Sequence, residues 1–133
     1  MIVDTSALIA VLLGEPEADE FGRTLMGGGA RLSSATLVEA RIVAHSRLEA
    51  TGARKLASIL EAARAEVVPV DERQADAASE AYRRYGRGSG HPARLNFGDC
   101  FAYALATIAD EPLLYKGDDF VHTDVRSALA PMG

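Results

Sequence analysis

Several residue types that mark particular protein classes are scarce in this chain of 133 residues. A single cysteine, Cys100, excludes an intramolecular disulfide and fits a cytoplasmic protein. Tryptophan is absent, and no apolar run approaches the ~20 residues that a membrane span needs. Residues 1–13 are apolar, but they lack a basic segment and Asp4 interrupts them, so we expect no secretory signal there.

Positive charge is also in deficit, because 14 basic residues face 19 acidic ones and the net charge is −5. This balance argues against a protein that coats nucleic acid with a generally basic surface. A localised site stays open, since residues 83–94 contain four arginines and three glycines. That segment has two interpretations. Its glycines let backbone approach a ligand while its arginines contact phosphates, or it is a solvated connection.

What is present is the composition of one globular domain, with 48% hydrophobic and 25% charged residues, and we expect residues 1–133 to form it. Short β-branched runs alternate with helix-compatible segments. This order predicts an α/β fold with a mostly parallel central sheet of four or five strands and helices on both faces. The predicted strands are 2–3, 31–34, 67–70 and 113–115, and the predicted helices are 7–13, 16–26, 35–50, 53–65, 72–85 and 96–110.

Three further details of the fold follow from single residues. Pro69 marks the third strand as an edge strand, and Asp71 can cap the helix after it. Apolar residues at 97, 101, 104, 105 and 108 recur with a helical period, which predicts one buried face on the last helix. The tail to Gly133 is expected to hold a last short strand or helix.

Acidic residues recur at comparable places: Asp4 after the first strand, Glu39 and Asp99 on helices, and Asp118 and Asp119 after a later strand. Helix capping explains each one taken alone, since 36–39 and 96–99 both have capping-box spacing. Glu39 and Asp99 have apolar neighbours, however, and unpaired buried carboxylates are costly. Lys116 and the arginines cannot serve all these acids together.

A divalent cation can serve them, because Mg²⁺ and Mn²⁺ prefer hard oxygen ligands and turn repulsion between carboxylates into attraction. His45, His91 and His122 are isolated, and Cys100 reads as a core residue, so a zinc site is not expected. Neither a Walker phosphate loop nor a nucleophile elbow occurs in the sequence. Metal-assisted hydrolysis remains.

Three segments and one glutamate together resemble a known family. The segments are MIVDTSAL at 1–8, LNFGDCFAYAL at 95–105 and PLLYKGDDF at 112–120, and the glutamate is Glu39. They are similar to PIN-domain ribonucleases of the VapC toxin type, from type II toxin-antitoxin systems. The resemblance implies a PIN-like three-layer sandwich with Mg²⁺ or Mn²⁺ at its carboxyl edge. It also implies an endoribonuclease that cleaves single-stranded or loop RNA by activated-water attack on a phosphodiester, a cognate VapB-type antitoxin and a homodimer.

The resemblance also assigns roles to residues. Asp4 and Asp99 match the acids that hold the metal, and Glu39 matches the helix glutamate that completes the catalytic pocket. Tyr-Lys-Gly at 115–117 replaces the usual context of the fourth catalytic acid, and two aspartates follow it. Of these two we choose Asp118 over Asp119. Thr5 and Ser6 are candidates to hydrogen-bond a water or a phosphate, and Lys116 is a candidate contact to the scissile phosphate.

Two other functions compete with this interpretation. A phospho-acceptor signalling domain would use acids at a strand edge with Lys116, although the adjacent acid pair expected after its first strand is missing. A non-catalytic RNA-binding or partner-binding module would use the acids only as helix caps. For capture of the antitoxin that the resemblance implies, the apolar segment 7–13 and the helix after it are either a groove for a partner helix or ordinary core.

Overall fold

The computed structural model describes residues 1–129 and contains one parallel sheet flanked by helices. The strands are β1 (Ile2–Val3), β2 (Arg31–Ser33), β3 (Glu66–Val68) and β4 (Leu113–Leu114), in the order β3-β2-β1-β4. All three strand pairs are parallel. The helices are α1 (Thr5–Leu12), α2 (Ala18–Met26), α3 (Ser34–Ala62), α4 (Glu72–Tyr85) and α5 (Phe97–Ala109). The α/β prediction is confirmed, and β3 is an edge strand as Pro69 predicts.

Alternation along the central strands divides the core between the two faces of the sheet. Val3 and Leu114 pack into a cluster with α1, α2 and α3, whereas Ile2 and Leu113 pack with α4 and α5. All four side chains are at most 1% exposed, and burial of each contributes roughly 1.5–3 kcal/mol. The two clusters make the predicted three-layer sandwich, in which the sheet is covered on both sides.

The sequence predicted two separate helices in the region that forms the single helix α3 in the structure. Helical hydrogen bonding runs through α3, but Glu49 has non-helical angles (φ 55°, ψ −139°) that kink it. The kink therefore lies three residues before Gly52, where the sequence indicated a break. Gly52 serves a different purpose, because a Cβ there would lie 2.2 Å from the carbonyl oxygen of Ala44. The glycine allows the two halves of α3 to approach closely.

The predicted buried face of α5 is correct at Ala104 and Leu105 and wrong at Phe97, which is 76% exposed. Phe97 stands at the first turn of the helix and packs edge to face on Phe101, with ring centroids 4.9 Å apart. Val38 and Ile42 of α3 line the same shallow hollow and are also exposed. We call Val38, Ile42, Phe97 and Phe101 the apolar face; Phe101 is half-buried, and the other three are exposed because no strand or helix of residues 1–129 covers them.

The C-terminal segment adds little regular structure. Residues 115–129 form turns, and Ser127 makes one isolated parallel bridge to Leu113. The end of the predicted last element, at residues 130–133, lies outside the described residues. None of the helices within 1–129 combines the length and the apolarity needed to cross a membrane.

Candidate active site

Three of the predicted acids, Asp4, Glu39 and Asp99, meet in a cavity of about 260 Å³ at the carboxyl edge of the sheet. Parallel strands end together at such an edge, which is where α/β proteins build ligand sites. Asp4 follows β1, Glu39 lies on α3, and Asp99 lies in the first turn of α5. The cavity is lined by Asp4, Thr5, Ser6, Ile9, Glu39, Val43, Asn96, Asp99, Lys116, Asp119 and Phe120.

Asp4 is both a helix cap and a cavity residue. Its Oδ2 accepts hydrogen bonds from the backbone N–H of Ser6 (3.0 Å) and from the Ser6 hydroxyl (2.6 Å). Its other oxygen, Oδ1, is buried and accepts no hydrogen bond from residues 1–129. The side chain is 3% exposed, and this burial raises the pKa of Asp4 to about 6. Oδ1 is therefore a desolvated acceptor without a partner, which costs stability unless something binds it.

The two hydroxyls after Asp4 hold acids in this structure. Ser6 Oγ donates to Asp4 and accepts from the backbone N–H of Lys116 at 2.9 Å, which ties the start of α1 to the turn after β4. Thr5 Oγ1 donates to the carboxylate of Glu39. Both hydroxyls were predicted as substrate contacts, and the hydrogen bonds give them a positioning role.

Glu39 depends on a residue that the sequence reasoning missed. Helix α3 begins at Ser34 with Ser33 as its cap, so Glu39 lies beyond the first turn and is not part of a capping box. Its carboxylate rests directly on Gly98 of α5, where a Cβ would lie 2.1 Å from Oε2 and 2.6 Å from Cδ. The absence of a side chain at 98 therefore makes room for Glu39. The glycine of the motif NFGDC was the sign in the sequence that another side chain packs closely against this helix.

Asp99 also caps a helix and faces the cavity. It forms a capping box with Asn96, in which Asn96 Oδ1 accepts from the Asp99 N–H (2.9 Å) and Asp99 Oδ2 accepts from the Asn96 N–H (3.0 Å). Burial raises the pKa of Asp99 to about 7, with smaller contributions from the charges of Asp4, Asp119 and Glu39. Asp99 therefore lies within electrostatic reach of the other three carboxylates.

For the fourth acid the structure brings Asp119, not Asp118, to the cavity. Asp119 lines it and its charge raises the pKa of Asp99, whereas Asp118 is not among the lining residues. Between β4 and these aspartates, Gly117 adopts a left-handed conformation with φ 98°. This turn interrupts the alternation of the strand, so chain position alone did not decide between the two.

Lys116 lines the cavity, but its ammonium is bound elsewhere. Nζ lies 2.8 Å from Glu15 Oε2 and 3.0 Å from Glu17 Oε2, both in the turn between α1 and α2. Across residues 1–129, no lysine or arginine forms an ion pair with any of the three buried or half-buried acids Asp4, Glu39 and Asp99. The repulsion among them is therefore left uncompensated by this part of the chain.

The donor set fits Mg²⁺ or Mn²⁺ held by few protein ligands. In the part of the chain described, no three His, Cys, Asp or Glu side chains are spaced to hold a metal ion together. Mg²⁺ commonly uses only one or two carboxylates and keeps several waters, so Asp4 and Asp99 suffice. The unpartnered Oδ1 of Asp4 supports this fit. Cys100 lies in the core, as predicted, and burial raises the pKa of its thiol to about 11.

Comparison with known proteins places this chain in a family. Residues 1–126 match the family model described as PIN domain. Ribonuclease VapC28 of Mycobacterium tuberculosis is 51% identical over 130 residues, which cover 97% of this chain and 98% of that protein. This chain belongs to the VapC ribonucleases of the PIN-domain family. A second VapC ribonuclease of M. tuberculosis, VapC30, is 46% identical over 132 residues, covering 98% of this chain and all of that protein.

Solved structures agree on the PIN fold. M. tuberculosis VapC20, described as a sarcin-ricin loop cleaving toxin, superposes with a TM-score of 0.73 at 18% identity and covers 93% of this chain and 95% of its own. A chain of a toxin-antitoxin complex from Klebsiella pneumoniae gives 0.65 at 17% identity, with 92% of each chain covered. The resemblance to VapC-type PIN domains read from the sequence is thereby confirmed.

Proposed function

We propose that this VapC protein is a Mg²⁺- or Mn²⁺-dependent endoribonuclease that cleaves single-stranded or loop RNA. The observation that carries the proposal is the buried, unpartnered Oδ1 of Asp4, in a cavity that also contains Glu39 and Asp99 without a paired cation in residues 1–129. The family supports the same chemistry, since its curated members are named ribonucleases. A helix-capping module does not account for the orphaned oxygen, and the PIN-domain match and the relatives named ribonucleases argue against a phospho-acceptor.

In this proposal Asp4 and Asp99 hold the ion. When bound, such an ion supplies a Lewis acid that activates a water for attack on a phosphodiester and offsets the charge that develops. The chain's own residues set the geometry: Ser6 orients Asp4, Asn96 orients Asp99, and Thr5 orients Glu39. Each hydrogen bond fixes one carboxylate oxygen, and the second oxygen of Asp4, Oδ1, is left without a hydrogen-bond partner in residues 1–129.

We propose Asp119 as the fourth catalytic acid in place of Asp118, because Asp119 lines the cavity. Lys116 remains a candidate phosphate contact, since its backbone is tied to Ser6 and its side chain lies at the cavity wall. An entering phosphate would compete with Glu15 and Glu17 for the Lys116 ammonium. Thr5 and Ser6 act on substrate through the acids that they hold.

The proposal is tested by cleavage of an end-labelled single-stranded RNA with Mg²⁺, with Mn²⁺ and with EDTA. Wild type is expected to cut only with metal, and Asp99→Asn to lose at least ~10²-fold in rate, because it removes a proposed metal ligand. Asp76→Asn is the control, because Asp76 is an exposed carboxylate on α4. Metal-independent cleavage, or equal rates in Asp99→Asn and wild type, would refute the proposed chemistry.

A VapB-type antitoxin and a second copy of the chain are the proposed protein partners. The Klebsiella toxin-antitoxin complex supports the first, because one of its chains has this fold. Segment 7–13 is not a free groove for the antitoxin, since Ala7, Leu8 and Leu12 are buried in the core.

For the homodimer we propose the apolar face, where Phe97 and Ile42 are 76% and 63% exposed. We also propose a cytoplasmic location, because the proposed substrate is RNA.

A further inference from the structure

A second charged feature lies beside the acid cavity. Residues 81–98 contain four arginines and no acidic residue, in a chain whose net charge is −5. The segment links α4 to α5, and we call residues 84–94 the arginine loop. A local excess of positive charge of this size is typical of a surface that binds phosphates.

Three of the four arginines form no ion pair within residues 1–129 and are therefore available to bind phosphate. Arg83 is neutralised by Glu80, since its guanidinium donates to both carboxylate oxygens at 3.0 and 2.5 Å. Arg84, Arg87 and Arg94 are exposed and form no ion pair with any carboxylate in residues 1–129. The guanidinium carbon of Arg84 lies 4.8 Å from the ring centroid of Tyr85, which holds that side chain against the helix end.

The loop is held at its base. The N–H of Arg87 donates to the Leu95 carbonyl (3.0 Å), and the N–H of Leu95 donates to the Tyr85 carbonyl (2.8 Å). Inside the loop, His91 packs edge to face on Tyr85 at 4.8 Å, and its Nδ1 accepts from the N–H of Ala93 at 3.1 Å. A loop held in this way loses little further freedom when a ligand binds.

The chain itself brings this surface to the acid cavity. Arg94 precedes Asn96 by two residues, and Asn96 lines the cavity and caps Asp99. Two residues span at most about 7 Å between Cα atoms, so Arg94 starts within that distance of the cavity wall. The loop also borders an open hollow lined by Gly88, Gly90, His91, Pro92 and Arg94.

We infer that the arginine loop binds the phosphates of single-stranded RNA next to the scissile bond, through Arg84, Arg87 and Arg94; this rests on the proposed ribonuclease function. RNA fits better than an acidic protein segment because the loop leads through Asn96 into the wall of the acid cavity, where the proposed reaction would hold an RNA phosphate. The guanidinium fork matches phosphate geometry. Gly88 and Gly90 have left-handed φ values of 86° and 83°, and a Cβ at either would meet no described atom within 4 Å, which leaves room for the strand.

Binding is tested apart from cleavage, in the Asp99→Asn background with EDTA. Fluorescence anisotropy with a labelled single-stranded RNA of about 12 nucleotides gives the affinity between 50 and 200 mM salt. Replacing Arg84, Arg87 and Arg94 by Gln together should weaken binding at least ~10-fold and reduce the salt slope by about 2, since each phosphate contact on a single strand contributes ~0.7. Arg83→Gln, the matched control, should change affinity less than ~2-fold because Glu80 already neutralises it.

In the active protein with Mn²⁺, the triple variant is expected to raise KM for RNA and to keep kcat within ~3-fold, because the loop binds but does not touch the reacting atoms. Its melting temperature should match wild type, since the three side chains are exposed. An unchanged affinity and salt slope, while wild type still cleaves RNA, would overturn this inference and leave the proposed function standing. A polyglutamate peptide that competes as well as RNA of equal charge would overturn it in favour of an acidic protein partner.

Discussion

Substituting Gly98 by alanine is expected to displace Glu39 while leaving the stability of the fold nearly unchanged. The new Cβ would lie 2.1 Å from Glu39 Oε2, whereas ordinary contacts begin at 3.4 Å, so the carboxylate must retreat by at least about 1.3 Å. Glu39 is a long side chain and can make this movement. The retreat would carry it away from the Thr5 hydroxyl, a hydrogen bond that contributes about 1 kcal/mol.

The net effect on stability is expected to be small, because alanine in a helix is favoured over glycine by roughly 0.5–1 kcal/mol. That gain offsets the lost hydrogen bond. The effect on RNA cleavage is expected to be large, since a misplacement of about 1 Å in an active site can cost ~10²-fold in rate. Urea unfolding and single-turnover cleavage with Mn²⁺ measure the two quantities on the same samples.

Two controls define the result. Gly22→Ala lies in α2, where a Cβ would meet no described atom within 4 Å, so it should stabilise the protein by about 0.4–1 kcal/mol and leave cleavage unchanged. In a Glu39→Ala background the clash is gone, and Gly98→Ala should then stabilise as much as Gly22→Ala does. Full activity of Gly98→Ala, or the same stability change with and without Glu39, would refute the reasoning.

Three further predictions concern the acids and the apolar face. Because the pKa values of Asp4 (about 6) and Asp99 (about 7) are raised in the folded protein, metal-free stability should be highest below pH 4 and fall as the pH rises to 7. Asp99→Asn should flatten this profile and, at pH 8, raise the free energy of unfolding by at most about 4 kcal/mol, seen as a higher urea midpoint. An equal or lower midpoint would count against a crowded acid cluster. Ser6→Ala removes a hydrogen bond from Asp4 and should lower stability by about 1–2 kcal/mol in urea, a loss that Ser79→Ala on the exposed face of α4 should not reproduce. Ile42→Glu should convert a dimer to a monomer in sedimentation velocity without changing the melting temperature by more than a few degrees; a persistent dimer would place the interface elsewhere.

Local signals in the sequence predicted much of the fold. Helix α4 has the predicted bounds, and its cap Asp71 accepts from the N–H of Gln74 at 2.8 Å. The alternation of strands and helices was sufficient for the parallel sheet, because parallel strands require crossover connections. Asp4 and Asp99 were interpreted either as helix caps or as site acids; each caps a helix through one oxygen and also lines the cavity.

The errors arose where tertiary geometry decides. Phe97 has the right helical period for burial, but it lies where no element of residues 1–129 covers α5. The choice between Asp118 and Asp119 depended on the turn at Gly117, and strand alternation does not extend through a left-handed glycine. Gly98 was overlooked because its contribution is the space that it leaves for a side chain from another helix. That contact joins residues 59 positions apart in the chain.

The central claim is that Asp4 and Asp99 hold a divalent cation, and titration of Mn²⁺ into the RNA-free protein at pH 6.5 tests it most directly. Both carboxyls are partly protonated near that pH, so binding should release protons, which calorimetry detects as a heat that varies with the ionisation enthalpy of the buffer. Asp4→Asn should weaken binding at least ~10-fold and reduce the proton release, whereas Asp76→Asn should bind like wild type. Equal Mn²⁺ affinity and proton release in Asp4→Asn and wild type would contradict the account.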